Sequence, residues 1–220
     1  MPIVQVPIPA MDRYKAIGWG VPAKQEYVMN PATAPKATRG SFPKLRPLLE
    51  YLDMLGTRAD LATLSRLLAD LDLSRDDLAP ACVFSEHGYR RNRVKETDWY
   101  EVVCLCWRSG QRTPIHDHAG SSCAFCVIEG VATVTSFEQS PSGLIYPAST
   151  EHHEPGYVCA SQEVDIHQVA NIQPAGEDLI NLHIYSPQLR NFNVYSLDTK
   201  WADEPGTVRR QTGVPGASPG

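Results

Sequence analysis

Gly110-Gln111-Arg112-Thr113-Pro114-Ile115-His116-Asp117-His118 places two histidines one residue apart, just after a turn-forming glycine and a proline. Side chains two apart on a strand share a face. The spacing therefore predicts a strand that sends His116 and His118 the same way, with Asp117 turned aside toward a turn or an outer-sphere role. Two neutral imidazoles on one wall make half a metal site. A third ligand must come from another strand. His167, in Asp165-Ile166-His167-Gln168-Val169-Ala170-Asn171, lies in a β-like run far enough downstream to return on a facing strand. Three histidines with open positions suit a catalytic metal that must bind substrate or O₂.

Outward from this stretch the chain reads as β. Segments 100–107, 122–128, 132–137, 156–160, 164–171 and 179–185 are short and rich in β-branched and aromatic residues, and turn signals at 109–110, 129–130, 140–143 and 174–176 separate them. Many short strands at regular spacing predict a sandwich or closed barrel. Upstream the period changes. Leu45, Leu48, Leu49, Leu52 and Leu55 recur at helical spacing and stop at Gly56, and Leu61, Leu64, Leu67, Leu68 and Leu71 form a second stripe. Ser74 is placed to cap a short third helix, with Asp76 and Asp77 near its positive end. The leucine stripes read as core packing. The expected organisation is an extended arm over 1–42, one domain over 43–200 with helices at its start, and a loose tail over 201–220.

The chain has 220 residues, 42% of them hydrophobic and 20% charged, the composition of an ordinary globular protein. A net charge of −5 without a basic stripe gives no reason to expect nucleic acid as a partner. No apolar run approaches the roughly 18 residues a membrane span requires. The first residues lack a charged stretch followed by a long apolar core, so no signal peptide is expected. The expected location is the cytoplasm, with its six cysteines (82, 104, 106, 123, 126 and 159) as thiols. Cys104-Leu105-Cys106 and Cys123-x-x-Cys126 have spacings found in four-cysteine zinc sites, but Cys104 and Cys106 sit in an apolar strand-like run, where buried thiols are common.

The histidine stretch resembles the two sequence motifs of the cupin superfamily. Gly110 stands six residues before His116, Gly130 twelve after His118, and Asn171 four after His167. The resemblance implies a mainly β, double-stranded β-helix barrel. Cupins usually carry a glutamate ligand four or five residues after the second histidine, and here Cys123 occupies that place. A neutral three-histidine site leaves a divalent metal its full charge, which favours an anionic ligand such as a thiolate.

Several further residues resemble the cysteine dioxygenase family. His116, His118 and His167 correspond to its three iron(II) ligands. Cys123 corresponds to the cysteine that in many members is joined by a thioether to an active-site tyrosine, and Tyr185, in Leu182-His183-Ile184-Tyr185, to that tyrosine. Tyr89-Arg90-Arg91-Asn92 resembles the Tyr-x-Arg-Asn element whose arginine holds the substrate carboxylate, which implies that role for Arg91. Cys106-Trp107 before the histidine pair also fits. His183, two residues before Tyr185 on one strand face, is placed to hold its hydroxyl. The family often has serine where Asn181 stands. The resemblance spans about 43–190 and implies O₂-dependent oxidation of a small thiol to a sulfinate, with L-cysteine favoured because Arg91 is present. Open alternatives are an iron oxygenase acting on a mercaptopropionate-like thiol or a non-thiol amino acid, and a non-oxygenase metal-binding cupin. The pair His152-His153, between Glu151 and Glu154, reads as a solvated loop without a ligand role, and His87 as a surface residue.

Overall fold

The computed structural model describes residues 42–141, 143–161, 165–197 and 209–212. The arm expected at 1–42 lies outside these residues except for Phe42, which is buried. The leucine stripes form α1 (Arg46–Asp53) and α2 (Leu61–Ala69), with Leu48, Leu52, Leu64 and Leu68 buried. Asp60 caps α2: its carboxylate accepts the Thr63 N–H at 2.8 Å, satisfying one of the orphaned donors of the first turn. The expected third helix is a 3₁₀ segment, Asp76–Ala81. Its cap runs opposite to expectation, since Asp77 accepts from the Ser74 N–H at 2.9 Å and the Ser74 hydroxyl at 2.6 Å.

Eleven strands are described: β1 (Arg90–Glu96), β2 (Glu101–Trp107), β3 (Ile115–His116), β4 (Ser122–Glu129), β5 (Ala132–Gln139), β6 (Ile145–His153), β7 (Val158–Ser161), β8 (Ile166–Ala170), β9 (Leu179–Ser186), β10 (Asn191–Tyr195) and β11 (Arg209–Thr212). They build two antiparallel sheets, ordered β1-β2-β9-β4-β7 and β11-β10-β3-β8-β5-β6. This is the mainly β, cupin-type architecture with helices at its start.

The central strands of the first sheet, β2, β4 and β9, are buried on both faces. Val103, Leu105 and Trp107 of β2, Cys123, Phe125 and Val127 of β4, and Tyr185 of β9 share a core with Val169 and Phe192 of the second sheet. Their strand neighbours Cys104, Cys106, Ala124, Leu182 and Ile184 pack outward against Leu48, Leu64 and Leu68. Two-sided burial explains why these strands read as nearly continuous apolar runs.

Four features differ from the sequence reading. The strand carrying the histidine pair ends at His116. Beyond it, Asp117 Oδ1 accepts the N–H groups of Ala119 and Asn193, both at 3.0 Å, and Ala119 takes a φ of 44°, which ends the extended run. β1, with the sequence RRNRVKE, lacks an apolar alternation and was not foreseen as a strand. His152 and His153 lie on β6 rather than in a loop, opposite Thr133 and Ala132 of β5, and His153 is buried. Within the expected tail, residues 209–212 form an edge strand against β10.

Gly130 turns the chain between β4 and β5 at φ +77°, and a Cβ there would lie 2.2 Å from the Asp178 carbonyl oxygen. Both constraints act on backbone, so nothing flexible can yield. Gly130→Ala should destabilise the protein by about 2–5 kcal/mol, the sum of a left-handed alanine and a backbone overlap. Urea unfolding of both proteins checks this, and a change below about 1 kcal/mol contradicts the geometry.

Candidate metal centre

His116 on β3 and His167 on β8 are directly opposed across the ladder, and His118 follows two residues after His116. Their ring centroids lie 4.6 Å (His116–His167), 4.8 Å (His118–His167) and 5.6 Å (His116–His118) apart. The potential ligand atoms of all three lie within 4.8 Å of one another, and all three residues are buried. His116 Nδ1 is 3.0 Å from the Pro114 carbonyl oxygen and His167 Nδ1 is 2.8 Å from that of Asp165. A carbonyl only accepts, so each Nδ1 carries the proton and each Nε2 keeps a lone pair for a metal. His118 Nδ1 is buried with no partner among the described residues. Burial, reinforced by the neighbouring His167, lowers the His116 pKa to about 3 and holds His118 well below its ordinary value. Both rings are therefore neutral near neutral pH, the form that binds metal. The donors fit a borderline divalent transition metal that keeps open positions.

Asp117 is the brace behind the histidines. Besides its two backbone bonds, its Oδ2 accepts from Asn193 Nδ2 at 2.7 Å and from the Tyr195 hydroxyl at 2.8 Å, tying the histidine segment to β10.

Cys123 and Tyr185 are register partners on β4 and β9. Burial raises the pKa of both groups, keeping thiol and phenol protonated. The Tyr185 hydroxyl is 3.2 Å from His183 Nδ1, and its ring centroid is 5.6 Å from that of His118. Asn181 does not extend this series: its Oδ1 accepts from Trp107 Nε1 at 2.9 Å, while Asn181 Nδ2 and His183 Nε2 are both buried without partners among the described residues. Arg91, on β1, lies 5.2 Å from the Tyr185 ring centroid, and its Nη2 donates to Glu101 Oε1 at 2.6 Å. Arg93 faces solvent and pairs with Glu96.

A cavity opens beside the histidines, lined among others by His118, His167, Cys123 and His183. His153, Tyr157 and Cys159 supply more of its lining, and Arg91 is not part of that lining. His153 and Tyr157 stack with centroids 3.6 Å apart at 7°. Sequence reasoning passed over Glu101 and set His153 in a solvated loop. Glu101 was readable: it shares the inward face with Val103, Leu105 and Trp107, and a carboxylate on such a face needs a cationic partner. His153 gave no signal, because exposed polar neighbours surround it on β6.

Fold and side chains together define a cupin-type barrel with a histidine-lined candidate metal centre. Residues 41–198 match the family model described as cysteine dioxygenase type I. The chain is 26% identical over 121 residues to cysteine dioxygenase type 1 of Danio rerio, covering 53% of this chain and 60% of that protein. It is 27% identical over 108 residues to the Rattus norvegicus protein, covering 47% and 54%. It thus spans little more than half the length of these curated relatives. A double-stranded β-helix protein from Klebsiella pneumoniae superposes with a TM-score of 0.43 at 20% identity, over 54% of this chain and 94% of that one. This chain belongs to the cysteine dioxygenase type I family.

His116→Ala, His118→Ala and His167→Ala should each abolish stoichiometric binding of a divalent transition metal, because three ligands leave no redundancy. His152→Ala, which alters an exposed residue on β6, should retain it. Elemental analysis after gel filtration checks this, and full metal occupancy in His167→Ala would sink the assignment.

Proposed function

We propose that this chain is a non-haem iron(II) dioxygenase that adds O₂ to the sulfur of a small thiol to give a sulfinate, with L-cysteine as the leading substrate. The observation that carries this reading is the buried trio His116, His118 and His167, with no carboxylate among its donors and with Cys123, Tyr185 and Arg91 nearby. Iron held there would supply the site where thiolate and O₂ meet, taking the sulfur to the sulfinate rung of the oxidation ladder.

The protein's side chains bind and orient. Arg91 presents a planar fork with five N–H donors, and those not directed at Glu101 or Tyr185 can hold a carboxylate. Glu101 fixes the fork and offsets its charge, which moderates the pull on a substrate anion. Tyr185, kept protonated by burial, has a hydroxyl held by His183 that can donate a hydrogen bond to the bound substrate. The neutral Cys123 thiol does not compete with the substrate for the metal. Partners are the small thiol and O₂. Among the described residues no helix is long and apolar enough to cross a membrane.

Anaerobically iron-loaded protein given L-cysteine should consume O₂ and form cysteine sulfinate in equal amounts. Arg91→Ala should raise KM for L-cysteine about 10- to 150-fold, the value of a charge-assisted contact, with iron content unchanged. If no thiol among L-cysteine, 3-mercaptopropionate and cysteamine yields a sulfinate, the dioxygenase reading fails. If cysteamine, which has no carboxylate, turns over as well as L-cysteine, Arg91 is not the clamp.

Cross-strand pairing of Cys123 with Tyr185 also supports formation of a thioether between the sulfur and the phenol ring. The S–H and one ring C–H are lost, and two electrons and two protons pass to O₂. Such a bond would immobilise the phenol. Peptide mapping after turnover should find a joined Cys123–Tyr185 pair lighter by two hydrogens. Unmodified peptides after many turnovers count against it.

A further inference from the structure

We propose that Cys82, Cys104 and Cys106 form a second metal site, a sulfur-only pocket for a soft monovalent cation of the copper(I) class, on the face of the first sheet opposite the three histidines. Cys104 and Cys106 stand two apart on β2 and point away from the barrel into the layer beneath α1 and α2. Cys82 follows directly on the 3₁₀ segment Asp76–Ala81 and closes on them from outside the sheet. The three sulfurs lie within 4.8 Å of one another, and Cys104 and Cys106 are 3.8 Å apart. Three sulfurs around one ion at bond lengths of about 2.3 Å would stand about 4.0 Å apart, so the cluster already has nearly the required size.

The donor set selects the ion. Thiolates favour soft cations. A structural zinc site takes four protein ligands. Among the described residues no further histidine, cysteine, aspartate or glutamate joins this trio. Three sulfurs without a fourth ligand suit a d¹⁰ monovalent ion better than zinc. The surroundings fit a metal-thiolate site. Asn92, fully buried, is anchored by Nδ2 to the Val83 carbonyl at 2.9 Å and directs the same amide at Cys106 Sγ, 3.4 Å away. An N–H aimed at sulfur stabilises a thiolate ligand from the outer sphere. Cys82 is partly exposed while its two partners are buried, which gives an incoming ion a way in. Apolar packing alone would accept cysteine here as a small hydrophobe. It does not require three sulfurs to converge with an amide donor on one of them. The site shares no residue with the histidine centre, so its fate is independent of the iron reading.

The full-length protein, reduced and anaerobic, is titrated with copper(I) supplied as its bicinchoninate complex. Wild-type protein and His167→Ala should both withdraw copper(I) with a thiolate-to-copper charge-transfer absorption and sulfur neighbours in the copper X-ray absorption spectrum. Cys82→Ser should weaken this binding by more than the roughly 10- to 100-fold that loss of an outer-sphere partner costs. Copper bound only by nitrogen and oxygen, or an undiminished sulfur signal in Cys82→Ser, overturns the site. A readout that needs no variant is alkylation: copper(I) should protect Cys82 of the wild type from N-ethylmaleimide, and unprotected Cys82 at full copper loading also overturns it.

Discussion

Everything in this protein follows from three sheet strands, β2, β4 and β9, that are buried on both faces. Along β2, β4 and β9 the side chains alternate between two interiors, one enclosed by the second sheet and one covered by α1 and α2. On β9, Asn181, His183 and Tyr185 turn toward the barrel, while Ile180, Leu182 and Ile184 turn toward the helices. A slip of one residue would exchange the two sets and send the polar series into a leucine layer. Register is therefore held by both cores at once. The same alternation separates the histidine centre from the three-thiol cluster, which lie on opposite faces of one wall.

The barrel interior is polar by the standards of a core. His118 Nδ1, Asn181 Nδ2 and His183 Nε2 are all buried without partners among the described residues. Each such group costs about 1–3 kcal/mol. The fold tolerates this because the helical layer contributes a second, leucine-rich core through Leu45, Leu48, Leu64, Leu68 and Leu78. Where orientation matters most, the polar groups are tied down. Backbone carbonyls fix two imidazole tautomers, and the Asp117 carboxylate binds the end of the histidine segment to β10 through three contacts and caps the Ala119 N–H with a fourth.

Arg91 and Glu101 illustrate how cross-strand placement tempers a charge. They sit on adjacent strands, β1 and β2, and meet at 2.6 Å beside the Tyr185 ring. An isolated guanidinium in this interior would attract any anion. Paired with a carboxylate it becomes an oriented donor, selective by shape as much as by charge. Among the described residues, the cavity lining holds no arginine or lysine and includes His153, Tyr157 and Cys159, with Glu151 and Asp165 also present.

The sequence alone determined the mainly β class, the helical leucine stripes and the members of the histidine trio. The class and the stripes depend on local period, i and i+2 on a strand and i and i+3 or i+4 on a helix, while the trio rests on residue type and spacing, since the strand itself ends at His116. Six strands were legible because two-sided burial or half-burial left a dense apolar record. β1, β6, β10 and β11 left none, because RRNRVKE and the exposed face of β6 pair through backbone groups that any residue carries. Tertiary structure alone decided which residues meet. It set His116 against His167, Cys123 against Tyr185 and Arg91 against Glu101, turned His153 inward, and brought Cys82 to Cys104 and Cys106. Those encounters are fixed by sheet order and register, which join segments tens of residues apart, and no local period along the chain encodes that geometry.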